Sequence, residues 1–203
     1  EREHINYGWD LLEMRARFAR FEEGLQIIQA LFTQEAPLDF DGKYFPLREA
    51  VLLPRPARPG GPPLLVGGNG LHRTLPLAAR YARAWNAVYI PAARFSDLNA
   101  QLDEYLRQAG RDPGEVQRSL MTGLIFGQDE ATVEARVQER TRGRLSAAEL
   151  RQRGLVIGPP GAVVDQLGEL SRTGVQRVML QWLDLDDLDG LELLARRVLP
   201  QVS

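Results

Sequence analysis

The stretch PPLLVGGNGLHRTLPLAARYA, Pro62 to Ala82, sets an apolar run against glycines at 67, 68 and 70, and a helical pattern then starts at once. Glycine permits φ > 0 and close backbone approach. A helix start offers unpaired N–H groups and a partial positive charge, which suits an anion such as a phosphate. Arg73 is expected in the first helical turn, where its guanidinium would close a charged fork on that anion. The competing reading is a tight turn that needs glycine for backbone reasons alone. Two familiar phosphate loops are excluded. GNGLHR (Gly68 to Arg73) puts arginine where a dinucleotide fingerprint has its third glycine, with no strand-end acid about 20 residues on, and no Gly-Lys-Ser/Thr follows.

Outward from this loop the chain keeps a rhythm. LLVGG is a short buried strand, followed by a helix through Arg83. AWNAVYI is a second strand, stopped by Pro91. Ser96 caps the next helix, with Leu98, Leu102, Tyr105, Leu106 and Ala109 on or near one face and Gly110 as its stop. SLMTGLIFG is a third strand, and Asp129 caps a polar helix after it. SAAE, Ser146 to Glu149, is a capping box for a short extra helix. GPPG leads into a helix ending near Gly174, VQRVMLQWL is a fourth strand, and a last helix runs from about Asp187 to Leu199 and stops at Pro200. Strands that read as continuous apolar runs, alternating with helices, imply an α/β fold with a parallel sheet. A doubly wound sheet would use these βα units as they stand. A (β/α)8 barrel needs twice as many strands, and this chain would then be its C-terminal half.

Before the loop, LLEMRARFARFEEGLQIIQALF carries Met14, Phe18, Phe21, Leu25, Ile28 and Phe32 at helical spacing, one amphipathic stripe. Gly24 inside it points to close packing. LDFDGKYFPL, with Asp41-Gly42 between short arms, signals a hairpin. LPRPARPGGPP, residues 53–63, is read as a stiff surface segment rather than a domain linker, so 1–203 is taken as a single domain. The chain opens on the polar EREHINYGWD without methionine and reads as a sequence entered partway through.

Composition narrows the function. Apolar residues make up 44% and charged residues 26%, with a net charge of -2. That balance, without a basic block interleaved with aromatics, argues against a nucleic-acid partner. No apolar run approaches the roughly 20 residues of a membrane span. The absence of cysteine removes disulfides and thiol chemistry and fits a cytoplasmic location. His4 and His72 lie far apart, so no metal site is expected. DLDDLDG, Asp184 to Gly190, breaks the calcium-loop order and is read as capping acids for the last helix. Asn86, Gln181 and Trp182 sit at strand ends, where barrel side chains face ligand, or else serve as buried groups that satisfy loop backbone. No residue stands out as a catalytic acid, base or nucleophile.

The stretch LLVGGNGLHRTLPLAARYARAWN resembles the luciferase-like monooxygenase superfamily, most closely its F420-dependent oxidoreductase branch. The resemblance rests on Gly67, Gly68, Gly70, Arg73, Thr74, Ala79 to Ala82 and Trp85-Asn86. EREHINYG, RFEEGLQIIQALF and RVMLQWLDLDDLDGLELLARRVLP are similar to further family segments in the same order. The resemblance implies a (β/α)8 barrel whose N-terminal strands are absent here, binding coenzyme F420, or FMN as the alternative. Gly67, Gly68 and Asn69 would give N–H groups to the cofactor phosphate, with Gly70 and Arg73 nearby and Asn86 and Gln181 lining the site. It further implies an enzyme moving a hydride to or from a small-molecule substrate, with a non-catalytic flavin-binding half barrel as the rival. A homodimer, or association with the missing barrel half, would complete the sheet. Ala84, Pro76 and His72 depart from the family's usual residues.

Overall fold

The structure, a computed structural model, describes residues 2–202. The chain divides into two units, Glu1–Leu64 and Leu65–Ser203.

The first unit holds helices α1 (Arg2–Asn6) and α2 (Met14–Thr33) and the antiparallel strands β1 (Leu38–Phe40) and β2 (Leu47–Ala50). Glu13 caps α2 by accepting from the N–H groups of Arg15 and Ala16. At the other end the Arg55 guanidinium donates to the carbonyls of Leu31 and Phe32, where a cation also suits the helix dipole. The expected stripe is only partly covered: Leu25 is buried, while Met14, Phe21 and Ile28 stay exposed, and Ile27, outside the stripe, is buried instead. Gly24 is not a close-packing point either, since an added Cβ would meet Phe45 at an ordinary 3.9 Å. The hairpin is present, but its turn is the wider loop 41–46. The Glu23 carboxylate organises that loop by accepting from the N–H groups of Lys43, Tyr44 and Phe45. Gly61 (φ 76°) packs its bare backbone on the Phe32 ring, so part of segment 53–63 lies on α2.

The second unit is a parallel α/β sheet. Strands β3 (Leu65–Gly67), β4 (Ala84–Val88), β5 (Gln117–Phe126) and β6 (Val156–Gly158) run in that order, and β7 (Arg177–Gln181) pairs with β5. The sheet has five strands and is not closed. β5 serves three neighbours along its length: its residues 117–121 pair with β4, 119–123 with β7, and 124–126 with β6. Sequence reading missed β6, a strand of three residues between Gly154 and Gly158. The apolar LVIG run between those glycines was its only signal.

Helices α3 (Thr74–Tyr81), α4 (Ala92–Gln108), α5 (Glu130–Thr141), α6 (Ala147–Gln152), α7 (Pro160–Arg172) and α8 (Leu188–Arg197) follow the strands. Asp129 caps α5, Ser146 and Glu149 form the capping box of α6, and Asp187 caps α8, as expected. Two boundaries are corrected. α4 starts before Ser96 because the Pro91 carbonyl already accepts from Phe95 N–H and the proline's φ of -70° suits a cap. Pro200 does not stop the chain's helical course, since it sits in the first turn of a short α9 (Leu199–Val202), where its missing N–H costs nothing.

The core lies between sheet and helices. Trp85 of β4 is fully buried and stacks on Phe95 of α4 at 5.1 Å, with Leu98, Leu102 and Leu106 beneath. A second cluster joins Ile125, Ile157, Val133, Val137 and Leu150. Burying each such side chain contributes about 1.5–3 kcal/mol. The packing fixes which strand residues face the helices. Trp85 takes that face, so Asn86, its neighbour in β4, takes the other.

Candidate functional site

The carboxyl ends of β3, β4, β5 and β7 bring the sequence's candidate residues to one end of the sheet. The glycine loop leaves β3 and is tied to β4 at several points. Gly68 N–H donates to the Asn86 carbonyl at 2.9 Å, and the buried Trp85 indole donates to the Gly68 carbonyl at 2.9 Å. The Asn69 side chain acts as a two-pronged brace: Nδ2 donates to the Val88 carbonyl at 2.7 Å and Oδ1 accepts from Val88 N–H at 3.0 Å. The Gly70 carbonyl accepts from Thr74 and Leu75 and so closes the first turn of α3.

These bonds correct two expectations. Gly68 cannot offer its own N–H to a ligand, because that group is spent on Asn86. Arg73 is the residue before α3 rather than part of its first turn, because Gly70 takes up the amides of Thr74 and Leu75. Among the described residues, the N–H groups of Asn69, Gly70, Leu71 and His72 have no protein acceptor. They form the run of bare amides that a helix entry presents to an anion.

The glycines differ in what they need. Gly68 sits at φ 125°, open in practice to glycine alone. At Gly70 a Cβ would press on Thr74 Oγ1 at 2.6 Å. Gly67 has neither constraint: it lies in regular β3, it is exposed, and a Cβ there would meet nothing nearer than the Asn86 carbonyl at 3.9 Å. Neither backbone strain nor crowding requires glycine at 67, and a side chain there would have space.

Asn86 is 8% exposed, and its Oδ1 accepts from Ser119 Oγ at 3.0 Å. The Ser119 hydroxyl also reaches the Trp85 carbonyl, at 3.1 Å. Asn86 Nδ2 keeps no protein partner among the described residues. Gln181, at the end of β7, accepts from the Tyr89 phenol and donates from Nε2 to the Met121 sulfur at 3.6 Å, a weak bond. Trp182 turns its indole N–H to the Asp184 carbonyl and its ring toward Phe126. Both border a cavity of about 250 Å³, where Arg136 and Arg140 already donate to the carbonyls of Phe126 and Leu124. His72 is exposed at the loop.

Sequence reading missed Tyr89. It is a non-glycine residue at φ 50°, a conformation costing about 1 kcal/mol or more. VYIP at the end of an apolar strand was its only signal.

The carboxylates held below their usual range lie in caps. Asp129 is lowered by the N–H and hydroxyl of Thr132, Glu149 by those of Ser146, and Glu115 by the Asp112 N–H and Arg111. For Asp187 burial pushes upward, but the Gly190 N–H and Arg136 outweigh it and leave the group lowered. The carboxyl end therefore presents mostly neutral hydrogen-bond donors. Groups of three or more histidine, cysteine or acidic side chains able to hold a metal do not occur among the described residues. Nor is any helix among them long and apolar enough to cross a membrane.

Comparison with known proteins gives this geometry relatives. The family model for luciferase-like monooxygenases matches residues 1–177. An F420-dependent glucose-6-phosphate dehydrogenase of Intrasporangium calvum is 25% identical over 215 residues, covering 93% of this chain and 62% of that protein. The chain thus spans about three fifths of that relative's length. Among solved structures, an F420-dependent secondary alcohol dehydrogenase in complex with an F420-acetone adduct superposes with a TM-score of 0.79 at 17% identity, over 96% of this chain and 64% of that one. EDTA monooxygenase from Chelativorans sp. BNC1 superposes with a TM-score of 0.77 at 20% identity, over 98% and 62% of the two chains. The relatives are enzymes, and the structural neighbours share the parallel βα architecture.

Proposed function

We propose, from the premise that this chain belongs to the luciferase-like monooxygenase family, that it serves an oxidoreductase using coenzyme F420 to move a hydride to or from a small organic substrate. The observation that carries this reading is the cradle at the end of β3. Bare amides at 69–72 and an unfilled position at Gly67 suit a cofactor phosphate, and Trp85 and Asn69 hold the loop in place. Arg73 adds positive charge beside it, while Asn86 Nδ2 and Gln181 Nε2 offer donors to ring oxygens. When bound, the deazaflavin supplies the hydride chemistry, and the chain's own residues bind and orient it. The reading includes a cytoplasmic location, and a second copy or further strands to close the open sheet.

Fluorescence titration with F420 and with FMN tests the proposal. Saturable F420 binding at lower concentration than FMN supports it. Preference for FMN moves the protein to the alternative reading, an FMN-dependent monooxygenase of this family. Binding of neither removes the reading, and binding without turnover leaves a flavin carrier.

A further inference from the structure

We propose that Tyr89 is a positioning residue that locks the Gln181 side chain so that one amide N–H faces the open carboxyl end of the sheet, to hold a carbonyl-type oxygen of the bound ligand. The inference deepens the proposed function and rests on it for the ligand's identity.

Tyr89 keeps its left-handed conformation because its neighbours over-determine it. Its N–H donates to the Met121 carbonyl at 3.0 Å. The next residue, Ile90, is pressed by the bare backbone of Gly154, where a Cβ would come within 2.4–2.6 Å of Ile90 main-chain atoms. Pro91 then caps α4. The chain is thereby turned so that the Tyr89 ring reaches from β4 across β5 to β7.

What lies under the ring is Gly123 of β5, the register partner of Gln181. A Cβ at 123 would stand 3.3 Å from both Tyr89 Cε1 and Oη. The missing side chain is the seat of the phenol. From there the hydroxyl donates to Gln181 Oε1, and Gln181 Nε2 faces the Met121 sulfur. The neighbours favour one orientation of the amide. A thioether accepts and cannot donate, so the nitrogen belongs on its side and the oxygen on the phenol's. One N–H of that nitrogen goes to a weak acceptor and the other has no protein acceptor among the described residues. The phenol oxygen also keeps lone pairs, and Tyr89 is 37% exposed. A strained residue, a vacated seat and a fixed amide with a spare donor together make a device for aiming one hydrogen bond. Its target is a carbonyl-type oxygen, either on the flavin-like ring or on the organic substrate.

The test is a double-mutant cycle on the protein with Tyr89→Phe, Gln181→Leu and the pair, reading cofactor Kd, substrate KM and kcat, and the thermal midpoint. Loss of an aimed hydrogen bond corresponds to roughly a 5–10-fold weakening. Gln181→Leu is expected to weaken one constant by that amount, Tyr89→Phe by somewhat less, and the pair no more than Gln181→Leu alone. A change in cofactor Kd assigns the oxygen to the ring, and a change confined to KM assigns it to the substrate. Gly123→Ala, which crowds the ring without removing any donor, is expected to give a weaker copy of Tyr89→Phe. Additive effects, or a lowered midpoint with both binding constants unchanged, would overturn the proposal in favour of a packing role. Should neither F420 nor FMN bind, acetone decides the matter in 15N-labelled protein. Movement of the Gln181 side-chain amide resonances in wild type but not in Tyr89→Phe supports the proposal, and no movement in either refutes it.

Discussion

The two ends of the parallel sheet in the second unit treat their polar groups in opposite ways. At the amino end they close on one another. Arg118, near the start of β5, has only 7% of its side chain exposed. It donates to Asn99 Oδ1 at 3.0 Å, to Asp103, and to the carbonyls of Pro113 and Val116. Asn99 passes the connection to the Thr173 carbonyl, and Gln176 accepts the Arg118 N–H on Oε1 and donates its own main-chain N–H to the Arg118 carbonyl. Arg111 and Arg83 share the Glu115 carboxylate. At the carboxyl end the bonds instead hold a surface open: those of Trp85 and Asn69 fix the glycine loop while leaving its amides bare. One end spends its hydrogen bonds on cohesion and the other keeps donors in reserve, the division expected of a barrel whose chemistry sits on one face.

That contrast can be broken from either side. The largest effect is expected from Arg118→Met, which strands Asp103, Asn99 and the carbonyls of Pro113 and Val116. Urea unfolding should show a loss of about 3–4 kcal/mol, with cofactor Kd unchanged in the molecules that remain folded. A loss below about 1 kcal/mol would remove the cohesive role assigned to the amino end. Gly67→Val should do the reverse. Valine suits a strand, so stability should stay within about 0.5 kcal/mol. Cofactor affinity should fall ten- to a hundredfold, worth about 1.4–2.8 kcal/mol. Unchanged affinity would mean that position 67 faces no ligand. Asn69→Ala sharpens the comparison, since it removes both bonds to Val88. About 1 kcal/mol of stability is expected to go, together with a slower and weaker association, because the loop amides lose their fixed spacing. The smallest effect is that of acid. Glu115, Asp129, Glu149 and Asp187 all have carboxyl groups held low in the folded state. The unfolded chain therefore takes up more protons as pH falls. The stability these groups give is present at neutral pH and is lost through and below the usual carboxylate range. Urea midpoints measured from pH 7 downward should decline there, and a rise would contradict the assignment.

What could be read in the sequence was whatever is local. Asp129, Ser146 with Glu149, and Asp187 act within a few residues of themselves, and their roles were legible from spacing alone. The alternation of strands and helices was legible because burial on both faces leaves continuous apolar runs. The position of the glycine loop was legible too. The failures involve distant partners. Ser96 lost its cap to Pro91 because α4 begins where β4 releases the chain. β6 is held by pairing with the far end of β5 and has little sequence of its own. The Asn69 side chain braces Val88, nineteen positions away, a role that local sequence does not show. Arg118 carried no local signal at all, and Tyr89 was one more residue of the AWNAVYI strand. Their meaning comes from Asp103 and Gln181, fifteen and ninety-two positions away respectively.

The Trp85 indole has a kinetic consequence. It anchors the Gly68 carbonyl from inside the core, so the loop's shape is inherited from the packing of β4 on α4 and exists before any ligand arrives. Docking on such a template need not wait for a slow rearrangement, and little chain entropy is lost on contact. Capture in a stopped-flow trace should then be a single exponential whose rate rises linearly with ligand concentration. Differences in affinity among ligands that share the same anionic tail should appear in how long they stay rather than in how fast they land.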